Sequence, residues 1–449
     1  MRYLIIASLL LTAPLVIEQM TGIPFGSSIF AADKKPEKRR VPPLKERIYK
    51  TISEAQLLID PDAVPVPEGE EKPDVVANPQ EAIRMMLKVL ERPKRLNAYE
   101  IAQLWNTLAY AYYTLEDIPN TLRAYEKVLA QPQMQISLGM ELSASNALFR
   151  LYYQREDYRK SISYMEHWES INATRDAGVA YLKATAYYQM GEYRTALTQA
   201  LLVEEIAIET EKTMKEDWLY FYVILYSELK DDDNVIKVLE RLILTYPKKQ
   251  YWMHLATLYG EKGWDDKALS AFYAAYIQGM FGREIELVML SQRLLNAEVP
   301  YEATVVLEKG FDEDIIEKNE KNIRLLATSY TMAQEFSKAI DAWREATDYA
   351  EDGEIYFRLA QALSTEDRHE EAIKSYRNAL KEGDLKNPED VNYWMGISLM
   401  QEQQWSAATK AFRIARKDKK KAKSSGQMLK YIVSERKRLK ALAEMAAAD

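Results

Sequence analysis

Apolar and small residues recur along this chain at helical spacing, in stretches separated by short polar turns. Ten times two such stretches meet at a turn, and the second carries a small residue, a bulky one four positions on, and a small or apolar one three beyond that. The clearest copies are Ala268-Phe272-Ala275, Ala339-Trp343-Ala346, Ala372-Tyr376-Ala379 and Ala408-Phe412-Ala415. The small anchors Ala268, Ala303, Ala339, Ala372 and Ala408 lie 35, 36, 33 and 36 residues apart. A period near 34 predicts a helical solenoid, because one helix pair cannot bury its own apolar face and neighbours must stack. The expected fold is all-α with about ten helix pairs, no sheet, and the small anchors buried where helices cross. Polar turns such as Met190-Gly191-Glu192, Lys262-Gly263-Trp264 and Glu366-Asp367-Arg368 separate the helices of a pair. Gly191 and Gly263 suit the left-handed conformation that ends a helix.

These residues resemble the tetratricopeptide repeat. One unit has Trp252, Leu255, Ala256 and Tyr259 in its first helix and Ala268, Phe272 and Ala275 in its second. Another has Trp105, Leu108, Ala109 and Tyr112, then Tyr125; a third has Leu326, Ala327, Tyr330, Ala339, Trp343 and Ala346. Pro247 closes the unit that starts near Glu216. The pattern covers residues 44–418. The resemblance implies a right-handed superhelix whose first helices line a concave, protein-binding groove. Val235, Leu239 and Leu242 in one unit, and Gly310 in another, depart from the pattern and are expected to change local curvature.

The chain begins with a secretory pattern. Arg2 precedes the apolar run Leu4–Ile17, and a small-residue stretch leads to Ile29-Phe30-Ala31-Ala32. The run has 14 residues, short of the ~20 that a membrane-spanning helix needs. Residues 1–31 therefore read as a signal peptide cleaved after Ala31 or Ala32, with an uncleaved inner-membrane anchor as the alternative. Both readings place the repeats outside the cytoplasm. The chain has no Cys, compatible with a bacterial periplasm and excluding disulfides. Residues 32–43 form a basic, Pro-containing linker expected to be a flexible tether. Residues 60–78 form a Pro-rich loop that splits the first helix pair into Leu44–Ile59 and Asn78–Glu91. Residues 419–449 are expected to hold a basic capping helix, its regular part Gln427–Ala447, after a break at Lys417–Gly426.

Charge is segregated along the chain. Residues 33–50 carry eight Lys and Arg against three acids, and residues 410–440 thirteen against two. The whole chain is −8, which leaves −22 for residues 51–409. The basic ends could meet a membrane surface, a cell-wall polymer or an acidic partner, or could be a solvated cap. Nucleic acid is not expected as a partner of an exported chain.

Catalytic signatures are missing. The three histidines, His167, His254 and His369, are far apart in sequence, and no metal-ligand, phosphate-loop or nucleophile-elbow motif occurs. Asp231-Asp232-Asp233-Asn234 is expected to be a helix N-cap rather than a carboxylate site. No enzyme, cofactor or metal is expected. What remains is the groove. Helical periodicity and the resemblance together place Gln103, Asn106, Tyr110 and Tyr113 on it, then Ser143, Asn146, Arg150 and Tyr153, then Tyr181, Thr185 and Tyr188. Asn can both donate to and accept from a peptide backbone, and Tyr offers a large contact area with a polar tip. The groove residues of the C-terminal half are mixed: Lys321, Arg324 and Thr328, then Phe357 and Gln361, then Tyr393 and Ile397.

The layout of leader, basic Pro-containing stretch Lys34–Pro43, first helix Leu44–Ile59 and continuous repeats resembles the exported tetratricopeptide proteins that accompany TonB–ExbB–ExbD systems of Gram-negative bacteria. That resemblance implies a periplasmic accessory to TonB-dependent uptake, with a component of the TonB complex as partner. The alternative is a general periplasmic scaffold for envelope assembly or polysaccharide export.

Overall fold

A computed structural model describes residues 39–62, 75–350 and 352–446. The leader, residues 32–38 of the linker and residues 63–74 of the Pro-rich loop lie outside the described residues. Every regular element among the described residues is helical. The chain divides into two compact units, the first ending at Tyr246 and the second starting at Pro247. The first holds five pairs: α1 (Glu46–Ile59) with α2 (Pro79–Leu90), α3 (Ala98–Thr114) with α4 (Ile118–Leu129), α5 (Leu138–Gln154) with α6 (Tyr158–Ile171), α7 (Ala177–Gln189) with α8 (Tyr193–Glu209), and α9 (Glu216–Glu228) with α10 (Asp232–Thr245). The second holds five more: α11 (Lys249–Glu261) with α12 (Asp265–Ile277), α13 (Glu284–Asn296) with α14 (Pro300–Asp312), α15 (Glu320–Met332) with α16 (Phe336–Thr347), α17 (Gly353–Thr365) with α18 (His369–Glu382), and α19 (Pro388–Gln401) with α20 (Trp405–Ala415). A last helix, α21 (Ala422–Ala446), follows.

The turn inside the pairs repeats from α3–α4 onward. Nine pairs, from α3–α4 to α19–α20, place one residue in the left-handed region between their helices: Glu116, Glu156, Gly191, Lys230, Gly263, Glu298, Gln334, Asp367 and Gln403. After α3 the Glu116 amide donates to the Tyr113 carbonyl at 3.0 Å, and the Asp117 amide donates to the Tyr112 carbonyl at 2.9 Å. These two bonds occupy carbonyls that a helix end would otherwise leave unpaired. The next helix is started by a carboxylate cap: Asp117, Asp157 and Asp231 accept from Asn120, Lys160 and Asn234. Asp231 is thus the expected N-cap.

Small residues set the distance between helices, and large ones fill the space that results. Ala268, Phe272, Ala339, Trp343, Ala372, Tyr376, Ala408 and Phe412 are all buried. In the last pair Gly396 faces the Phe412 ring, where an added Cβ would stand 2.8 Å from a ring carbon. Gly310 leaves room for Ile316 and Leu287. Replacing Ala372 by Leu is expected to overpack its crossing and cost ~1–3 kcal/mol, read as a lowered urea midpoint. An Ala372→Leu variant that unfolds with the parent would show that this crossing has spare room. Phe357, expected at the groove surface, is instead buried against Tyr376, ring centres 6.1 Å apart. An aromatic ring gains more from that core than from solvent.

Two ends of the chain differ from the sequence-based expectation. The described part of the linker is held rather than free. Arg39 forms an ion pair with Glu141 at 2.5 Å and donates to the Gln133 and Ile136 carbonyls, while the Arg40 amide donates to the Met134 carbonyl. Further along, Asn97 donates to the Pro43 carbonyl, and the Lys45 amide donates to Glu100 at 3.1 Å. Glu100 and Glu141 sit in the first turns of α3 and α5 and are almost fully buried. A buried carboxylate is tolerable only when paired, and the strap at residues 39–45 supplies the pairing. At the other end, helix resumes at Ala422 rather than Gln427. Gly426 lies inside α21 and meets nothing there, and a helix accepts such a glycine at ~1 kcal/mol. Ile432 is buried, whereas Leu442 and Met445 are exposed.

Candidate functional site

In the first unit tyrosine hydroxyls link the first helices of neighbouring pairs at three steps, α1 to α3, α5 to α7 and α7 to α9. Tyr110 of α3 donates to Asp60, the residue that closes α1, at 3.0 Å. Tyr153 of α5 donates to Thr185 of α7 at 3.0 Å, and Tyr188 of α7 donates to Glu228 of α9 at 3.4 Å. Helical periodicity creates this ladder: residues three or four apart share a face, so Asn106, Tyr110 and Tyr113 stand in one row, as do Asn146, Arg150 and Tyr153.

The expected groove residues separate into two groups by exposure. Tyr110 and Tyr113 are exposed, Tyr113 at 54%, and Arg150 is exposed as well. Asn106 and Asn146 are partly exposed, and the Asn146 amide oxygen accepts from Arg150 Nε at 2.7 Å. Tyr153, Tyr181 and Tyr188 are half-buried and pack sideways. Tyr153 meets Tyr158 edge-on at 5.4 Å, Tyr181 meets Trp218 and Phe221, and Tyr188 meets Phe221 and Tyr193. These three rings brace one helix against the next and offer an edge outward, while Tyr110 and Tyr113 offer more open surface. Gln103 is tied to Tyr99, and Ser143 is exposed.

Three of these hydroxyls are shifted upward. Burial raises the Tyr181 hydroxyl above its ordinary range, and Asp217 raises it further; burial and then Asp60 do the same for Tyr110. Burial and then Glu228 raise Tyr188. These hydroxyls therefore stay protonated donors at neutral pH. Tyr152, one position before Tyr153, belongs to the interior: it stacks on Tyr164 at 5.6 Å and donates to Glu126 at 2.5 Å.

Sequence reasoning missed the α9 part of this face. Asp217, Tyr220, Ile224 and Glu228 follow one another at helical spacing on α9. Asp217, Tyr220 and Glu228 are exposed and Ile224 is half-buried. The signal was available in that spacing, but the buried neighbours Trp218, Leu219, Phe221, Tyr222 and Val223 mask it, because α9 is apolar nearly all round.

Nothing comparable to a catalytic cluster accompanies this face. His167 contacts Glu141 at 2.9 Å, His369 stands 3.5 Å from Asp367, and His254 lies apart, its pKa lowered by burial. Among the described residues no group of three or more His, Cys, Asp or Glu is arranged to hold a metal ion. No described helix is long and apolar enough to cross a membrane.

A family model for the tetratricopeptide repeat matches residues 353–382, which are α17 and α18 with their turn. The protein therefore carries a tetratricopeptide repeat there, among helix pairs that share its left-handed turn. No curated protein matches the chain. Among solved structures the chain is similar to the MamA protein, at 21% identity over 39% of this chain and 93% of that one, with a TM-score of 0.32. It is similar to YrrB, described as a TPR protein with an unusual peptide-binding site, at 15% identity over 42% and 97%, with a TM-score of 0.34. A tetratricopeptide repeat protein from Parabacteroides merdae matches at 13% identity over 67% and 99%, with a TM-score of 0.30. Similarity at this level carries nothing about ligands or partners.

Proposed function

We propose that this protein is a non-enzymatic periplasmic scaffold that holds an extended segment of another protein on the first-helix face of its first unit. The partner is a component of a TonB energy-transduction complex, and the role is accessory to TonB-dependent uptake. The observation that carries the binding reading is the face itself. Asn106 and Asn146 occupy equivalent places on α3 and α5, beside the exposed rings of Tyr110 and Tyr113. Amides of this kind satisfy a peptide backbone, and rigid aromatic rings supply contact area at small entropic cost. Helical-repeat pairs present such surfaces because their first helices line up. The periplasmic reading is supported by the leader pattern from Arg2 to Ala32 and by the lack of cysteine, and the TonB reading by the resemblance in layout described above.

A photo-crosslinking residue placed at Tyr113, in the full-length protein expressed in its own cells, tests this. Capture of a TonB, ExbB or ExbD protein is the expected result. Capture of an envelope-assembly or polysaccharide-export protein instead would replace the TonB role with the general scaffold. Capture of nothing, with the protein folded and abundant, would contradict the use of this face. The scaffold itself, recovered from the same cells, should have the mass of a chain starting near Ala32 or Asp33.

A further inference from the structure

The first-helix face has a sign. Helices α3, α5, α7 and α9 contain only two cationic residues, Arg150 and Lys183. Lys183 is buried and donates to Glu169 at 3.0 Å, and Arg150 is bonded to Asn146. Against them stand Asp217 and Glu228, both exposed on α9, and Asp60 beside Tyr110 at the other end of the row. Exposed tyrosine rings accompany these carboxylates at both ends: Tyr110 and Tyr113 on α3, Tyr220 on α9. Aromatic faces next to ionised carboxylates attract Lys and Arg side chains through ring quadrupole and charge together. They do little for an acidic segment, which would be repelled.

A second observation points the same way. The same unit already holds one extended basic segment, its own Arg39-Arg40-Val41-Pro42-Pro43, and holds it with carboxylates. Glu141 pairs with Arg39, and Glu100 takes both the Lys45 amide and, at 3.3 Å, the Lys45 ammonium. Prolines keep that segment extended, so little order has to be imposed on binding. The first unit thus combines extended backbone and basic side chains along the edge formed by the N-terminal ends of α3 and α5. The first-helix face offers the same kind of groups to a chain from outside.

We propose that the face formed by α3, α5, α7 and α9 selects an extended, cationic segment of its protein partner. The segment sets Lys or Arg side chains against Asp217 and Glu228 at one end and Tyr110 with Asp60 at the other, its backbone running past Asn106 and Asn146. This rests on the scaffold reading above and adds the charge of the occupant.

Two fluorescein-labelled decapeptides test it with the mature full chain, one of five Pro-Lys pairs and one of five Pro-Glu pairs, titrated by anisotropy at about 150 mM salt, where surface charges act over roughly 8 Å. The lysine peptide is expected to bind at least about tenfold more tightly. The double variant Asp217→Asn, Glu228→Gln is expected to lose about tenfold in affinity for it. The control Asp265→Asn, Asp266→Asn, with two exposed acids of α12 neutralised, is expected to stay within about twofold, since it removes the same two negative charges from residues that do not belong to the face. Equal binding of the two peptides would overturn the proposal. Equal loss in both double variants would also overturn it, by reducing the effect to net charge. Capture from Tyr113 separates this outcome from the broader reading. A partner captured there while the peptides show no preference leaves the scaffold standing without its charge selectivity; no capture at all removes the scaffold itself.

Discussion

Replacing Tyr376 by Ala is expected to destabilise the second unit by ~3–5 kcal/mol, the usual cost of deleting a fully buried aromatic ring. Tyr376 has no exposed surface. Its ring packs against Phe357 in the cluster that includes Ala339, Trp343, Ala360 and Ala372, and its hydroxyl lies 3.2 Å from Ser364 Oγ. Burial pushes that hydroxyl's pKa up to about 12, so it stays protonated throughout the working range. Stacked repeats exchange stability mainly with their neighbours, so the loss should appear as faster amide exchange in α15 to α20. Tyr376→Phe should cost only ~0.5–1.5 kcal/mol, the net worth of one hydrogen bond. An Ala variant within ~1 kcal/mol of the parent would mean that the cluster closes over the gap.

Gly353→Ala is expected to cost ~2–3 kcal/mol although it enlarges the residue by one methyl group. Gly353 opens α17 with its amide donating to the Gly383 carbonyl at 2.8 Å. A Cβ there would stand 2.2 Å from the Ala379 carbonyl oxygen and 2.6 Å from that of Gly383, both backbone atoms. No rotamer relieves such a clash, so α17 must move off the end of α18. Gly260→Ala is the internal comparison: its Cβ would meet nothing within 4 Å inside α11. It should stabilise by ~0.5–1 kcal/mol through helix propensity alone. Thermal melts of the two variants that moved in the same direction would show that backbone approach is not what fixes Gly353.

The period was legible because small anchors and large fillers are costly to exchange, so Ala268, Ala339, Ala372 and Ala408 stand in register in the sequence as they do in the packing. The turns were legible only where glycine marks them. Gly191 and Gly263 announce the left-handed residue, whereas Glu116, Glu156, Lys230, Glu298, Gln334, Asp367 and Gln403 take the same conformation without a signature. For these the two helices impose the geometry, and the local residue tolerates a strain on the order of 1 kcal/mol. Glu100 and Glu141 could not be told from the other acids either, because their burial depends on a strap far away in sequence. The residues expected on the candidate face differ in exposure. Tyr110 and Tyr113 are open, while Tyr153, Tyr181 and Tyr188 are partly consumed by ring contacts between helices. Periodicity assigns a residue to a face and cannot say how closely the next helix approaches it.

The central claim is that the first-helix face of the first unit binds an extended protein segment, and the binding affinity of the Asn106→Ala, Asn146→Ala double variant for the partner captured at Tyr113 tests it most directly. Both amides are partly exposed and lie outside the buried core. Key interface residues each contribute on the order of 1–4 kcal/mol, so affinity should fall tenfold or more while the melting temperature stays that of the parent. Unchanged affinity in a variant that melts with the parent would contradict the claim and leave the partner bound elsewhere on the chain.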